Sequence, residues 1–244
     1  LEDNEFGDLD PQLAEAVSAI VSAVERLGAI VSSLLDVALL ERGHMPLEYS
    51  RVALHDVVGH AVADAQVLAT ESGVRVALAQ DVPEVFLRGD PVRLRQAVDN
   101  LVSNAIKYTA NEREVRVWLS VDDEWADTCV SDTGPGIDED RAAMIFELFG
   151  RAETDDNVEV YGLGLGLPIS DRIARAHGGY ITFDPNPDGR SGTTFCLRIP
   201  RSGAPQDAPA SFDASTHEVL RGEAGDTSAR GESSGKTGRE HGER

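Results

Sequence analysis

Between Gln96 and Thr109 the chain reads QAVDNLVSNAIKYT, and three of its side chains are spaced for shared chemistry. At about 100° per residue, Asn100, Asn104 and Lys107 fall on one face of a helix, with Tyr108 at its margin. Leu94, Val98, Leu101, Val102, Ala105 and Ile106 fall on the opposite, apolar face. Two amides and one cation so arranged suit a magnesium ion and a polyphosphate, because Mg²⁺ usually takes one or two protein oxygens beside phosphates and waters. The chain has only two lysines, Lys107 and Lys236, and otherwise uses Arg. A compact, flexible ammonium at position 107 therefore reads as a phosphate point charge. Standing alone, the same helix would read as amphipathic with a solvated polar face.

Two further runs carry the same kind of chemistry. Asp132 closes a strand-like run and is followed by Thr-Gly-Pro-Gly-Ile137, where two glycines can take positive φ and bring backbone close to a ligand. A buried carboxylate there can accept a hydrogen bond from an exocyclic amine such as that of adenine; in isolation it would be an ordinary Asp-Gly turn. Gly162, Gly164 and Gly166 alternate at a helix start, offering backbone N–H groups and the positive helix end to phosphate. This is neither the dinucleotide fingerprint nor a P-loop. The run GESSGKT at 231–237 has three residues rather than four between its glycines and no strand before it, so it is not a P-loop either.

The elements that must position these residues can be read in order. Asp10-Pro11 is a helix start, and Leu13, Val17, Ile20, Val24, Leu27, Val31, Leu34 and Ala38 follow at alternating spacings of four and three up to Glu41. Such a helix is about 45 Å long and wants partner helices. A strand-like stretch around 47–53, a helix over 54–71 and a strand over 74–79 come next. Asp90-Pro91 then opens the helix that carries Asn100. Residues 114–121 and 124–131 form a hairpin turning at Asp122-Asp123. A short helix over 139–146, a polar loop over 152–160, a helix over 168–177 and strands over 180–184 and 193–199 complete the folded part. After Arg201 the composition predicts disorder.

Composition excludes some partners. The 244 residues carry a formal charge of −21, which argues against nucleic acid or an anionic membrane surface. No apolar run approaches the ~18 residues of a membrane span, and no signal peptide is visible. Cys129 and Cys196 lie in apolar strand-like runs and are expected to be buried, reduced thiols of a cytosolic protein. The first residue is Leu1 rather than Met, so a longer parent is expected.

Taken in order, the motifs resemble the ATP-binding domain of two-component sensor histidine kinases, within the GHKL (Bergerat-fold) ATPase superfamily. The N-box corresponds to residues 100–108, the G1 box to Asp132–Ile137, the F box to Ile145–Arg151 and the G2 box to Gly162–Leu167, while residues 24–45 look like the second helix of the dimerisation and phosphotransfer hairpin. The resemblance implies an α+β fold, a two-layer sandwich of a mixed sheet of about five strands and three helices behind a long dimerisation helix. Residues 1–45 would be that partial hairpin, 46–200 the ATP-binding domain and 201–244 the tail.

The resemblance also implies roles. Asn104 would bind Mg²⁺, Lys107 would contact phosphate, Tyr108 would line the adenine pocket and Asp132 would take the adenine amine. Gly134, Gly136, Gly162, Gly164 and Gly166 would hinge and floor a lid over about 138–161, packed by Phe146 and Phe149, with Ile137, Leu163 and Leu165 among the nucleotide contacts. Arg151 would reach the γ-phosphate and act with Lys107 and Asn100 in catalysis. Asn100 stands where hydrolytic relatives carry a general-base Glu, and an amide cannot take a proton from water at neutral pH. Leu148, Gly150 and Leu163 depart from the family pattern.

None of His44, His55, His60, His177, His217 or His241 has the His-Glu-Leu/Phe setting of the phosphorylated histidine. The resemblance places the acceptor on the first hairpin helix, expected upstream of Leu1. The implied protein is a cytoplasmic, ATP- and Mg²⁺-dependent kinase core that dimerises through its first helix, signals to a response regulator and makes no direct membrane contact. The alternative readings are a regulatory or scaffold module without phosphotransfer, and a GHKL serine kinase or ATPase, against which Asn100 and the heptad helix speak.

Overall fold

The computed structural model describes residues 10–41, 47–109, 113–137, 144–150, 164–186 and 191–202. The expected disordered tail, the P-loop-like run within it and most of the expected lid lie outside those residues. Helix α1 spans Pro11–Glu41, and the Asp10 carboxylate accepts from the Gln12 N–H at 2.9 Å as its cap. Strand β1 (Ser50–Ala53) leads directly into α2 (Leu54–Glu71), followed by β2 (Arg75–Leu78) and β3 (Phe86–Gly89). Then come α3 (Pro91–Tyr108), β4 (Glu114–Val121), β5 (Trp125–Ser131), a 3₁₀ turn at Met144–Phe146, α4 (Gly166–Ala176), β6 (Tyr180–Pro185) and β7 (Thr193–Pro200).

Five strands form one mixed sheet in the order β2-β4-β5-β7-β6, parallel only between β2 and β4. Alternation dictates its two faces. Val115, Val117 and Leu119 of β4 and Leu197 and Ile199 of β7 are buried. They share one core with Leu54 and Val58 of α2, Leu94, Val98 and Leu101 of α3, and Ile169 and Ile173 of α4. The expected α+β sandwich is thus present. Strand β3 was not legible: its four residues pair antiparallel with β1 in a separate small sheet. The expected helix over 139–146 is, among the described residues, only the 3₁₀ turn, and α4 starts two residues earlier than expected, at Gly166.

The reduced-thiol expectation is overturned. Register sets Cys129 of β5 directly opposite Cys196 of β7, with Cα atoms 4.0 Å apart, and the two sulfurs are bonded. Strand contents alone place both residues in strands, but only the pairing of strands distant in sequence makes them neighbours.

Helix α1 meets the domain around Asp36 and Val37, and Val37 joins the core. Asp36 is buried, and its two oxygens accept from Arg93 Nη1 at 2.7 Å and Gln96 Nε2 at 2.6 Å on α3. The stripe residues Leu13, Ile20, Val24, Leu27, Val31 and Leu34 remain exposed. No helix among the described residues is long and apolar enough to cross a membrane.

A buried polar knot fixes the start of α3. Asp90 Oδ1 accepts from the Val92 and Arg93 N–H groups, and Oδ2 accepts from the Glu48 N–H. The Asp90 N–H in turn donates to His177 Nε2 at 2.9 Å, so His177 Nδ1 carries the proton shared with the Ile173 carbonyl at 2.7 Å. His177 is wholly buried, and this desolvation lowers its pKa, opposed by the Ile173 hydrogen bond and the Asp90 charge. Unfolded histidine titrates near 6.5 and the folded one below it. Between those values the unfolded chain binds more protons, so stability present above about pH 6.5 falls as pH drops. Denaturant melts between pH 7.5 and 5 are expected to show this loss. His177→Ala should flatten that slope and cost on the order of 1–3 kcal/mol at pH 7.5, because the Asp90 N–H is left unpaired. An unchanged slope in the variant contradicts the assignment.

Candidate functional site

With its apolar face seated on the sheet, α3 presents Asn100, Asn104 and Lys107 on the other side, as its periodicity predicts. Asn100 Nδ2 donates to the Gly166 carbonyl and to Ser170 Oγ, both at 3.3 Å, and so ties α3 to the first turn of α4. Ser170 Oγ reaches back to the Ala97 carbonyl. Asn104 is half-buried, and its side chain makes no hydrogen bond among the described residues. Lys107 keeps solvent access, yet the protein around its ammonium lowers its pKa by desolvation, with no carboxylate among the described residues to offset it. Anionic phosphate would supply that missing countercharge.

Asp132 lies at the end of β5 and is 6% exposed. Its Oδ1 accepts from the Gly134 N–H at 2.8 Å and the Thr193 N–H at 3.2 Å, and its own N–H donates to the Thr193 carbonyl at 2.9 Å. The Asn186 amide donates to the Asp132 carbonyl at 2.7 Å and accepts from Ser131 and Thr194 hydroxyls. Burial raises the Asp132 pKa, opposed by the Gly134 and Thr193 N–H groups. Oδ2 has no partner among the described residues, which leaves one acceptor of a fixed carboxylate for a ligand.

Close backbone approach brings this carboxylate to the end of α3. A Cβ on Gly134 would stand 2.6 Å from the Tyr108 carbonyl oxygen, so only glycine lets the two segments meet. The neighbouring Thr133 N–H donates to Thr109 Oγ1 at 3.4 Å. Tyr108, half-buried, and Asp132 thus belong to one locality with Asn104 and Lys107. At the other end, Gly164 takes φ +68°, and its missing side chain leaves room for the Gly150 carbonyl.

The remaining expected residues divide. Gly136, at φ +86°, and half-buried Ile137 continue the loop after Asp132. Leu165 is buried in the core, so its backbone rather than its side chain is what a ligand could meet. Phe146 packs toward Phe183, whereas Phe149 is exposed and sits at φ +64°. Arg151, Gly162 and Leu163 lie outside the described residues. Sequence reasoning missed Thr193, Asn186 and Ser170; the small polar cluster Ser191-Gly-Thr-Thr194 was the available signal for the first. A separate cavity of about 1000 Å³ is lined by Thr70, Arg75, Arg113 and Thr133, and it contains none of the α3 site residues. No cluster of three His, Cys, Asp or Glu occurs among the described residues. Asn104 with phosphate oxygens is the donor set that suits Mg²⁺ here.

Residues 89–203 match the family described as histidine kinase-, DNA gyrase B-, and HSP90-like ATPase. The chain is 35% identical over 200 residues to the probable sensor histidine kinase TcrY of Mycobacterium tuberculosis, covering 81% of this chain and 40% of that protein. It is 31% identical over 209 residues to the sensor histidine kinase RcsC of Escherichia coli strain K12, covering 82% and 22%. It therefore spans well under half the length of these curated relatives. Among solved structures, full-length ShkA in complex with AMPPNP superposes with a TM-score of 0.65 at 28% identity, over 84% of this chain and 42% of that one. The mycobacterial sensor histidine kinase MprB gives 0.53 at 25%, over 65% and 99%.

Asp132→Asn should keep an oxygen toward Gly134 and Thr193 while turning a donor toward the ligand. Calorimetry is expected to show ATP binding weakened by about 1–3 kcal/mol with the melting temperature nearly unchanged. Wild-type affinity in the variant would mean that Oδ2 does not meet the base.

Proposed function

Because residues 89–203 make this chain a member of the histidine kinase-, DNA gyrase B- and HSP90-like ATPase family, we propose that it is the ATP-binding catalytic core of a two-component sensor histidine kinase. In this reading the γ-phosphate of ATP passes to a histidine carried outside this sequence, for relay to a response-regulator aspartate. The observation that carries it is the Asp132 carboxylate, fixed by two backbone amides with one oxygen left over, beside the Asn104–Lys107 face of α3.

Each residue then has a task. Asp132 Oδ2 accepts from the adenine amine, and Tyr108 lines the base. Lys107 sets a positive charge against phosphate, and the start of α4 at Gly164 and Gly166 offers backbone N–H groups to it. Asn104 would hold Mg²⁺, which when bound neutralises phosphate charge and orients the transferred group. Arg151 is the proposed γ-phosphate cation. Asn100 supports transfer over hydrolysis on physical grounds: its Nδ2 faces the Gly166 carbonyl, where a carboxylate would be repelled. No general base for water then stands at that position. The exposed stripe on α1 supports a homodimer formed through that helix, which sedimentation would detect and a strictly monomeric chain would contradict.

The test is transfer itself. Incubated with radiolabelled ATP and Mg²⁺, this chain alone is expected to take up no acid-labile phosphate, and a version extended upstream should become labelled. Labelling on one of the histidines of this chain, or none in an extended protein that binds ATP, contradicts the reading.

A further inference from the structure

The disulfide lies where it can be reached and where it can matter. Cys129 and Cys196 are the only two cysteines of the chain. Their rung alternates with Thr128–Leu197 and Val130–Phe195, whose side chains enter the core, so the pair lies on the sheet face turned away from α2, α3 and α4. Cys129 is buried and Cys196 is partly exposed, which makes Cys196 the more accessible residue of the pair. Toward the site, only the rungs Val130–Phe195 and Ser131–Thr194 separate the disulfide from Asp132 and Thr193. Those two residues exchange the backbone and carboxylate hydrogen bonds that hold the adenine acceptor. The crosslink therefore clamps β5 against β7 next to the contact that positions Asp132.

We infer that Cys129 and Cys196 form a reversible thiol–disulfide switch that sets how firmly Asp132 is held and, through it, the affinity for adenine nucleotide. The link to affinity rests on the proposed function. A domain that uses ATP works alongside thiol pools that reduce disulfides, and disulfides formed in that setting are mostly transient and redox-sensing. The sheet does not need the crosslink, since seven backbone pairs join β5 to β7 and each strand has a further neighbour on its other side.

Oxidation proceeds by two exchanges with a small-molecule disulfide. The Cys196 thiolate attacks one sulfur of that disulfide, forming a mixed disulfide and releasing one thiolate. The Cys129 thiolate then attacks Sγ of Cys196, forming the internal bond and releasing the second thiolate. Two protein thiols lose two protons and two electrons, and one small-molecule disulfide becomes two thiols. A dithiol reductant runs the sequence backwards.

The whole chain would be equilibrated in buffers of reduced and oxidised dithiothreitol, with free thiols counted by alkylation and mass spectrometry. Amide exchange at Asp132 and Thr193 would be read alongside, and ATP affinity measured by calorimetry. Reduction is expected to speed exchange at both amides and to weaken ATP binding on the order of fivefold. The Cys129→Ala/Cys196→Ala double variant should behave as the reduced chain in either buffer. A pair that resists reduction, or a reduced chain with unchanged exchange and affinity, overturns the switch. Faster exchange without ATP binding in either state leaves the switch standing and removes the nucleotide reading instead.

Discussion

The Asp132 carboxylate held by the Gly134 and Thr193 amides is the interaction on which the site depends. A buried carboxylate without fixed donors would relax toward protonation or toward water, and its free oxygen would have no defined direction. Here one oxygen is committed to backbone and the other is left over. The commitment needs β7 beside β5, the Asn186 amide on the Asp132 carbonyl, and glycine at 134 so that the loop can lie on the Tyr108 carbonyl. Sheet order, a turn residue and the end of α3 converge on one side chain.

The same logic explains how α3 can serve two masters. Its apolar residues are sealed against the sheet, its N-terminus is tied to α4 through Asp90 and His177, and its middle is tied to α4 through Asn100 and Ser170. The exposed face is thereby held at a set orientation to the start of α4. Helix α1 adds a second constraint, since Asp36 anchors it to Arg93 and Gln96, one turn from Asn100. This docking leaves the heptad stripe outward, clear of the contact with α3.

Local patterns were legible in the sequence, and pairings between distant segments were not. The two faces of α3, the hairpin turning at Asp122 and the Asp90-Pro91 helix start all follow from periodicity and cap chemistry within a few residues. Thr193 and Asn186 lie 61 and 54 residues from Asp132, and although the polar cluster around Thr193 hints at a site, no local pattern names Asp132 as the partner of either. The disulfide escaped for the same reason, across 67 residues. His177 reads as a helix-end residue, and only the fold shows that it accepts from the Asp90 amide. Strand β3 is four residues long, and its exposed Phe86 hides the alternating burial from the sequence.

In the proposed reading, Asp132 selects adenine by accepting a hydrogen bond from its exocyclic amine. Calorimetric titration of the unmodified chain with ATP and with GTP, each with Mg²⁺, tests it most directly, because guanine presents a carbonyl acceptor where adenine presents the amine donor. Clear binding of ATP is expected, with GTP binding weaker by at least about tenfold, the cost of setting two acceptors against each other in a buried site. Equal affinities for the two nucleotides would contradict it.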